Sequence, residues 1–146
     1  MSQRKYILDL LAELGMLDCN PADTSIIMNH GLKITKDGKM VDRERYERLV
    51  GKLICLSHIG PDIAYAVGVI SQFIHHPQTE RMEAAHKVVK YLKGSVEKGI
   101  LYQNHGHLDI QAYTNNDWAG YSNDRRLTAG YFTFVGGNLV TWKSKK

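Results

Sequence analysis

Near residue 98 the spacing of apolar side chains changes from a repeat of three to four residues to strict alternation. That switch confines the chain to a helical part followed by a sheet. Before it, Ile7, Leu10, Leu11 and Leu14 share one helical face, as do Tyr46, Leu49, Val50 and Leu53; Ile63, Val67, Ile70 and Ile74; and Ala85, Val88, Val89 and Leu92. The spacing predicts four helices. They run from about Arg4 to Leu14, from Arg43 to Leu56, from Pro61 to the turn before Pro77, and from Glu80 to Lys93. Ser2, Asp42 and Thr79 are expected as N-caps, Pro61 as a first helical residue, and Gly15 and Gly94 as stops. After the switch, strands are expected over 99–102, 108–117, 130–135 and 138–144, with a tight turn at Gly136-Gly137. In the second of these, Leu108, Ile110, Ala112 and Thr114 face one way; Gln111, Tyr113, Asn115 and Asp117 face the other. The expected class is therefore α+β, a helical region over 1–98 and a mainly antiparallel sheet over 99–146.

Between the first two helices, residues 18–41 hold Asn20-Pro21, Gly31 and Asp37-Gly38, and read as a long loop with a short hairpin at Asp37-Gly38. The two cysteines, Cys19 and Cys55, are far apart and signal neither a zinc site nor a redox pair; Cys55, inside the run Leu53–Leu56, reads as a buried thiol. The charged start and the lack of any apolar run of about 18 residues argue against a signal peptide and a bilayer span. An intracellular chain, cytoplasmic or nuclear, with no membrane partner, is expected.

A net charge of +4 suits a polyanion partner and equally a solvated basic surface. His75-His76 and His105-Gly106-His107 have no third ligand at metal spacing, so no metal site is expected. Trp118 and Trp142 read as packing residues of the sheet, with base stacking as the other use of such rings. Lys87, Lys90 and Lys93 lie on the polar side of the fourth helix.

Several blocks, in order and at matching spacing, resemble the Pol polyprotein of Ty1/copia-type retrotransposons. Ser2–Leu11, Gly15-Met16 and Pro21–Thr24 resemble the stretch downstream of the polymerase active site. Tyr46–Leu56 is similar to the family's Y-x-x-L-V-G-x-L-x-Y-L helix, Pro61–Val67 to R-P-D-I-A-x-A-V, and Lys90–Gly94 to R-Y-L-K-G-T. Tyr113–Gly120 resembles Y-T-D-A-D-W-A-G, Arg125–Gly130 resembles R-R-S-T-S-G, and Asn138–Lys146 resembles the strand ending W-x-S-K-K. The blocks cover nearly the whole chain.

The resemblance implies that 1–98 is the thumb- or connection-like end of a reverse transcriptase region and that 99–146 holds the first strands of an incomplete RNase H-like domain. The polymerase aspartates are expected to precede Met1, and the remaining RNase H acids to follow Lys146. The intact family enzyme uses Mg²⁺, whose paired ions need several carboxylates. Here Asn115 occupies the position of the first of those acids, leaving Asp117 as a residual acid on the same face. Gly60 replaces the family's Arg, and Leu127 and Ala129 replace its serines. The implied reading is a Pol fragment that is catalytically inactive alone and needs no cofactor. Two alternatives stand beside it. One is a nucleic-acid-binding module meeting an RNA–DNA hybrid weakly through Arg125, Arg126, Lys143 and Lys145; the same residues read equally as charged ends of strands and loops. The other is an interaction fragment self-associating through an unpaired sheet edge near the C-terminus.

Overall fold

A computed structural model describes residues 3–26, 32, 38–117 and 128–145, with the backbone alone described at 116, 117, 128, 144 and 145. The chain divides into two compact units, Met1–Lys98 and Gly99–Lys146.

The first unit is built from helices α1 (Gln3–Glu13), α2 (Arg43–Ser57), α3 (Pro61–Ser71) and α4 (Thr79–Gly94). Each boundary has a local cause. Gly15, at φ +65°, ends α1: the Met16 N–H reaches the Leu11 carbonyl at 2.8 Å and the Gly15 N–H reaches the Ala12 carbonyl at 3.0 Å. This paired closure satisfies carbonyls that the helix end would otherwise strand. Asp42 caps α2 by accepting from the Arg45 N–H at 2.9 Å. Pro61 opens α3, where a missing N–H costs nothing. Ser2 lies outside the described residues.

The predicted stripes meet in one core, with Ile7, Leu11, Tyr46, Val50, Leu53, Ile63, Ile70, Val88 and Val89 at most 1% exposed. α2 packs on α3, α3 on α4, and α1 on α4. The Tyr46 hydroxyl donates to the Ile70 carbonyl at 2.8 Å, joining α2 to α3 inside the core. The Lys52 ammonium pairs with the Glu13 carboxylate and draws that carboxyl below its ordinary value, linking α2 to α1.

Three expectations change in this unit. Thr79 is not a cap: it is the first residue of α4, its hydroxyl donates to the Lys39 carbonyl at 3.2 Å, and Gln78 holds the cap position. Met40 bridges Gln78 there, so the end of the long loop is stitched to the start of α4. The other end is held by Lys93, whose ammonium donates to the Cys19 carbonyl at 2.6 Å. Cys55 is exposed, because a helix that buries Leu49, Leu53 and Leu56 turns position 55 outward. α3 ends at Ser71, and Ile74 follows in turns, half-buried. Of the hairpin expected at Asp37-Gly38, Asp37 lies outside the described residues.

The second unit is a three-stranded antiparallel sheet in the order β1 (Ile110–Asp117), β2 (Thr128–Val135), β3 (Asn138–Lys145). Gly136 and Gly137, at φ +53° and +76°, make the two-residue turn between β2 and β3 whose twist matches the strands. Residues 99–102 form no strand, and Leu101 is 75% exposed. The chain from Gln103 to Asp109 is instead held by the turn. The Asn138 amide exchanges two 2.8 Å bonds with the Gln103 backbone, and the Gly136 N–H donates to the Asp109 carbonyl at 2.9 Å. These bonds take the place of ladder pairing, and β1 begins at Ile110 rather than at Leu108. Among the described residues, four helices with an antiparallel sheet make the fold α+β.

Candidate functional site

Register decides what each face of the sheet carries, because residues directly opposite one another point the same way. β1 pairs β2 with Tyr113 opposite Phe132, Gln111 opposite Phe134 and Asn115 opposite Gly130. β3 continues the row, with Trp142 opposite Phe132 and Leu139 opposite Phe134. One face therefore gathers Tyr113, Phe132, Phe134 and Trp142 around Asn115. Tyr113 and Phe132 stack at 5.2 Å between centroids, and Phe134 meets both edge-on at 6.2 and 5.9 Å. Tyr113 remains 49% and Phe132 42% exposed.

The second face carries Thr114 opposite Tyr131, and Tyr131 opposite Lys143. Lys143 is thus on the face away from Asn115. The cause is a bulge. The hairpin sets Val135 opposite Asn138 and Phe134 opposite Leu139, but the register shifts between Thr133 and Phe134, leaving Val140 unmatched. One extra residue in a strand turns everything beyond it to the other side.

Of the residues expected at the site, Asn115 and Lys143 are fully described and stand on opposite faces. Asp117 pairs with Thr128 in β1 and Lys145 with Ala129 in β3, as backbone positions. Arg125, Arg126 and Trp118 lie outside the described residues. The described residues do not fit a paired-magnesium site. The sheet neighbours of Asn115 are the aromatic rings and Gly130, and its own amide brings no charge to a divalent ion. Among the described residues no three His, Cys, Asp or Glu side chains gather closely enough to hold a metal. His107 instead approaches Asp109, Nδ1 to Oδ2 at 3.2 Å, and His105 is its ring neighbour at 6.5 Å.

Two features went unread in the sequence. The aromatic face is signalled by Phe132 and Phe134 two apart, with Tyr113 in another alternating run. Arg81 is buried at the start of α4, its guanidinium carbon 4.5 Å from the centre of the Phe73 ring and one N–H donating to the His76 carbonyl. Nothing in the spacing of charged residues marks it.

No helix among the described residues is long and apolar enough to cross a membrane. No family model and no solved structure matches the chain. Among curated proteins, the whole chain is 38% and 36% identical to the retrovirus-related Pol polyproteins from transposons RE1 and RE2 of Arabidopsis thaliana, and spans 10% of each. It is 33% identical to the corresponding polyprotein from transposon TNT 1-94 of Nicotiana tabacum, with 99% of the chain and 11% of that protein covered. Identity at this level along the full length agrees with the ordered blocks in the sequence, and the chain belongs to the Pol polyprotein family of copia-type retrotransposons.

Proposed function

We propose that this retrotransposon-derived chain is a non-catalytic section of Pol. In this reading the helical unit corresponds to the thumb- or connection-like end of the reverse transcriptase region, and the sheet to the opening strands of an RNase H-like domain without a working metal site. The observation that carries the reading is Asn115. It stands where the family pattern has the first metal-binding aspartate, on a strand whose same-face neighbours are Tyr113, Phe132 and Gly130. Two-metal hydrolysis needs carboxylates to hold both ions, activate water and neutralise the leaving oxygen. A neutral amide among aromatic rings supplies none of that charge.

The placement of Lys143 also weighs against a basic groove beside Asn115, since the two are on opposite faces. A labelled RNA–DNA hybrid incubated with the chain and either magnesium or manganese tests the proposal. No cleavage is expected, and a mobility shift in the same gel reports binding separately. Metal-dependent cleavage that disappears in Asp117→Ala would sink the reading.

A further inference from the structure

The stretch from Leu17 to Ser25 belongs to no helix and places no side chain in the buried core, yet its course is fixed. Met16 and Ile26 pack against the core at its two ends, and of the hydrophobic side chains between them only Cys19 does so. Leu17, Asp18, Asn20, Pro21, Asp23 and Thr24 are exposed.

What holds the stretch lies on one flank of α4 and at the start of α3. Lys90, Lys93 and Gly94 share that flank, being three and four residues apart on a helix. The Lys93 ammonium donates to the carbonyls of Leu17 and Cys19, the second at 2.6 Å. The Ala22 N–H donates to the Lys90 carbonyl at 3.2 Å. Pro21 lies so close to Gly94 that a β-carbon there would stand 3.1 Å from its own. The Ser25 hydroxyl donates to the Asp62 carbonyl at 3.2 Å. One of these attachments differs in kind. A lysine in the last turn of a helix commonly serves that helix's own stranded carbonyls. Lys93 serves two carbonyls of the passing chain instead. Two backbone oxygens turned onto one ammonium make a cation site filled by a tethered cation, and bonds from a charged donor are stronger than neutral ones.

We propose that residues 17–25 form a clasp that opens and closes as one piece over a folded helical core, with the Lys93 ammonium as its pin. The helices are joined through buried side chains such as Leu11, Leu53 and Val89, and opening the clasp leaves these in place. Segments with few buried apolar contacts open locally, at a lower free energy than global unfolding. Opening bares the last turn of α4 and the first turn of α3. Lys93 therefore sets how much of the time those two helix ends are covered. Pro21–Thr24 and Lys90–Gly94, two of the blocks that carry the family resemblance, meet in this one contact. The proposal rests on the helical unit alone, whatever the chain does with nucleic acid or metal.

Native-state hydrogen exchange of the full chain, read by NMR, tests it. The Ala22 amide and the Cys19 amide, the latter bonded to the Met16 carbonyl at 3.2 Å, report on the clasp. Amides inside α2 and α3 report on the core. In the wild type the two clasp amides are expected to share one opening free energy, below that of the core amides. Lys93→Met keeps the stem and removes the pin. It should speed both clasp amides together by about tenfold to a hundredfold, the range set by hydrogen bonds to a charged group, and leave the core amides unchanged. In Lys93→Ala, methylammonium chloride should slow the clasp amides again. Tetramethylammonium chloride, whose cation has no N–H to donate, should not. Clasp amides that open separately in the wild type overturn the proposal, as does a Lys93→Met variant that leaves them unmoved or speeds the core equally. A variant that fails to fold overturns it too, since the pin would then belong to the core. Rescue by both salts, or by neither, overturns the part given to the ammonium.

Discussion

Replacing Tyr46 by phenylalanine removes one hydroxyl from the middle of the helical unit and leaves the ring in place. The residue is fully buried, and its hydroxyl donates to the Ile70 carbonyl at 2.8 Å. That carbonyl also accepts from the Phe73 N–H at 3.2 Å, so the substitution strands no acceptor. The cost at neutral pH is that of one neutral hydrogen bond, about 1 kcal/mol. Alkali reverses the comparison. Burial pushes the phenol up to about 12 from its ordinary 10.0, against a smaller opposite pull from Arg81. The unfolded chain therefore loses this proton first. The stability tied to the neutral phenol is complete below 10.0 and drains away as the pH climbs to about 12. At 1.36 kcal/mol per pKa unit the loss totals about 2.7 kcal/mol. Unfolding free energies from urea titrations, followed by far-ultraviolet circular dichroism over a series of pH values, should give two curves that cross. The crossing falls about 0.7 of a unit above the ordinary phenol value by the same arithmetic. Parallel curves through the alkaline range would refute the burial argument, and a neutral-pH cost above about 3 kcal/mol would mean that the ring itself had moved.

Leu53→Ala empties a fully buried position in α2 and should cost about 3 kcal/mol, read as a lower urea midpoint at unchanged slope. Gly136→Ala combines φ +53° with a new carbon 2.5 Å from the His107 carbonyl oxygen, so a loss above about 1 kcal/mol in the melting of the sheet is expected. Asn138→Ala removes both bonds to Gln103 and should speed hydrogen exchange of the Gln103 amide well before it changes exchange in the centre of β2. Burial, with Arg45 and Lys90 nearby, holds the His86 imidazole below its ordinary 6.5. Its contribution is therefore present above 6.5 and lost as pH falls through the depressed value; His86→Gln should flatten that acid limb in a stability–pH profile.

What the sequence displayed and what it hid divide along physical lines. Periodicity exposed the apolar stripes, and local chemistry exposed Asp42 and Gly15, because a cap or a helix stop is decided within a few residues. Thr79 misled because the residue that precedes it, Gln78, was already engaged by Met40 from far along the chain. Cys55 looked buried in an unbroken apolar run, but a helix buries faces and not runs. Residues 99–102 have strand-like composition, yet a strand needs a neighbour, and the Asn138 side chain that organises the following segment sits 35 residues beyond Gln103. Alternation within β1 showed Asn115 and Tyr113 on one face. It could not show which face Lys143 joins, since that depends on a bulge two strands away.

Val140 is thereby a residue that β3 can lose without re-pairing. Deleting it leaves Leu139 opposite Phe134 and lets Thr141, Trp142 and Lys143 keep Thr133, Phe132 and Tyr131 as partners, so Lys143 stays on the face away from Asn115. What disappears is the bulge itself. An in-frame loss of that one codon would flatten the outer strand and leave the pattern of rings and charges on both faces as it is.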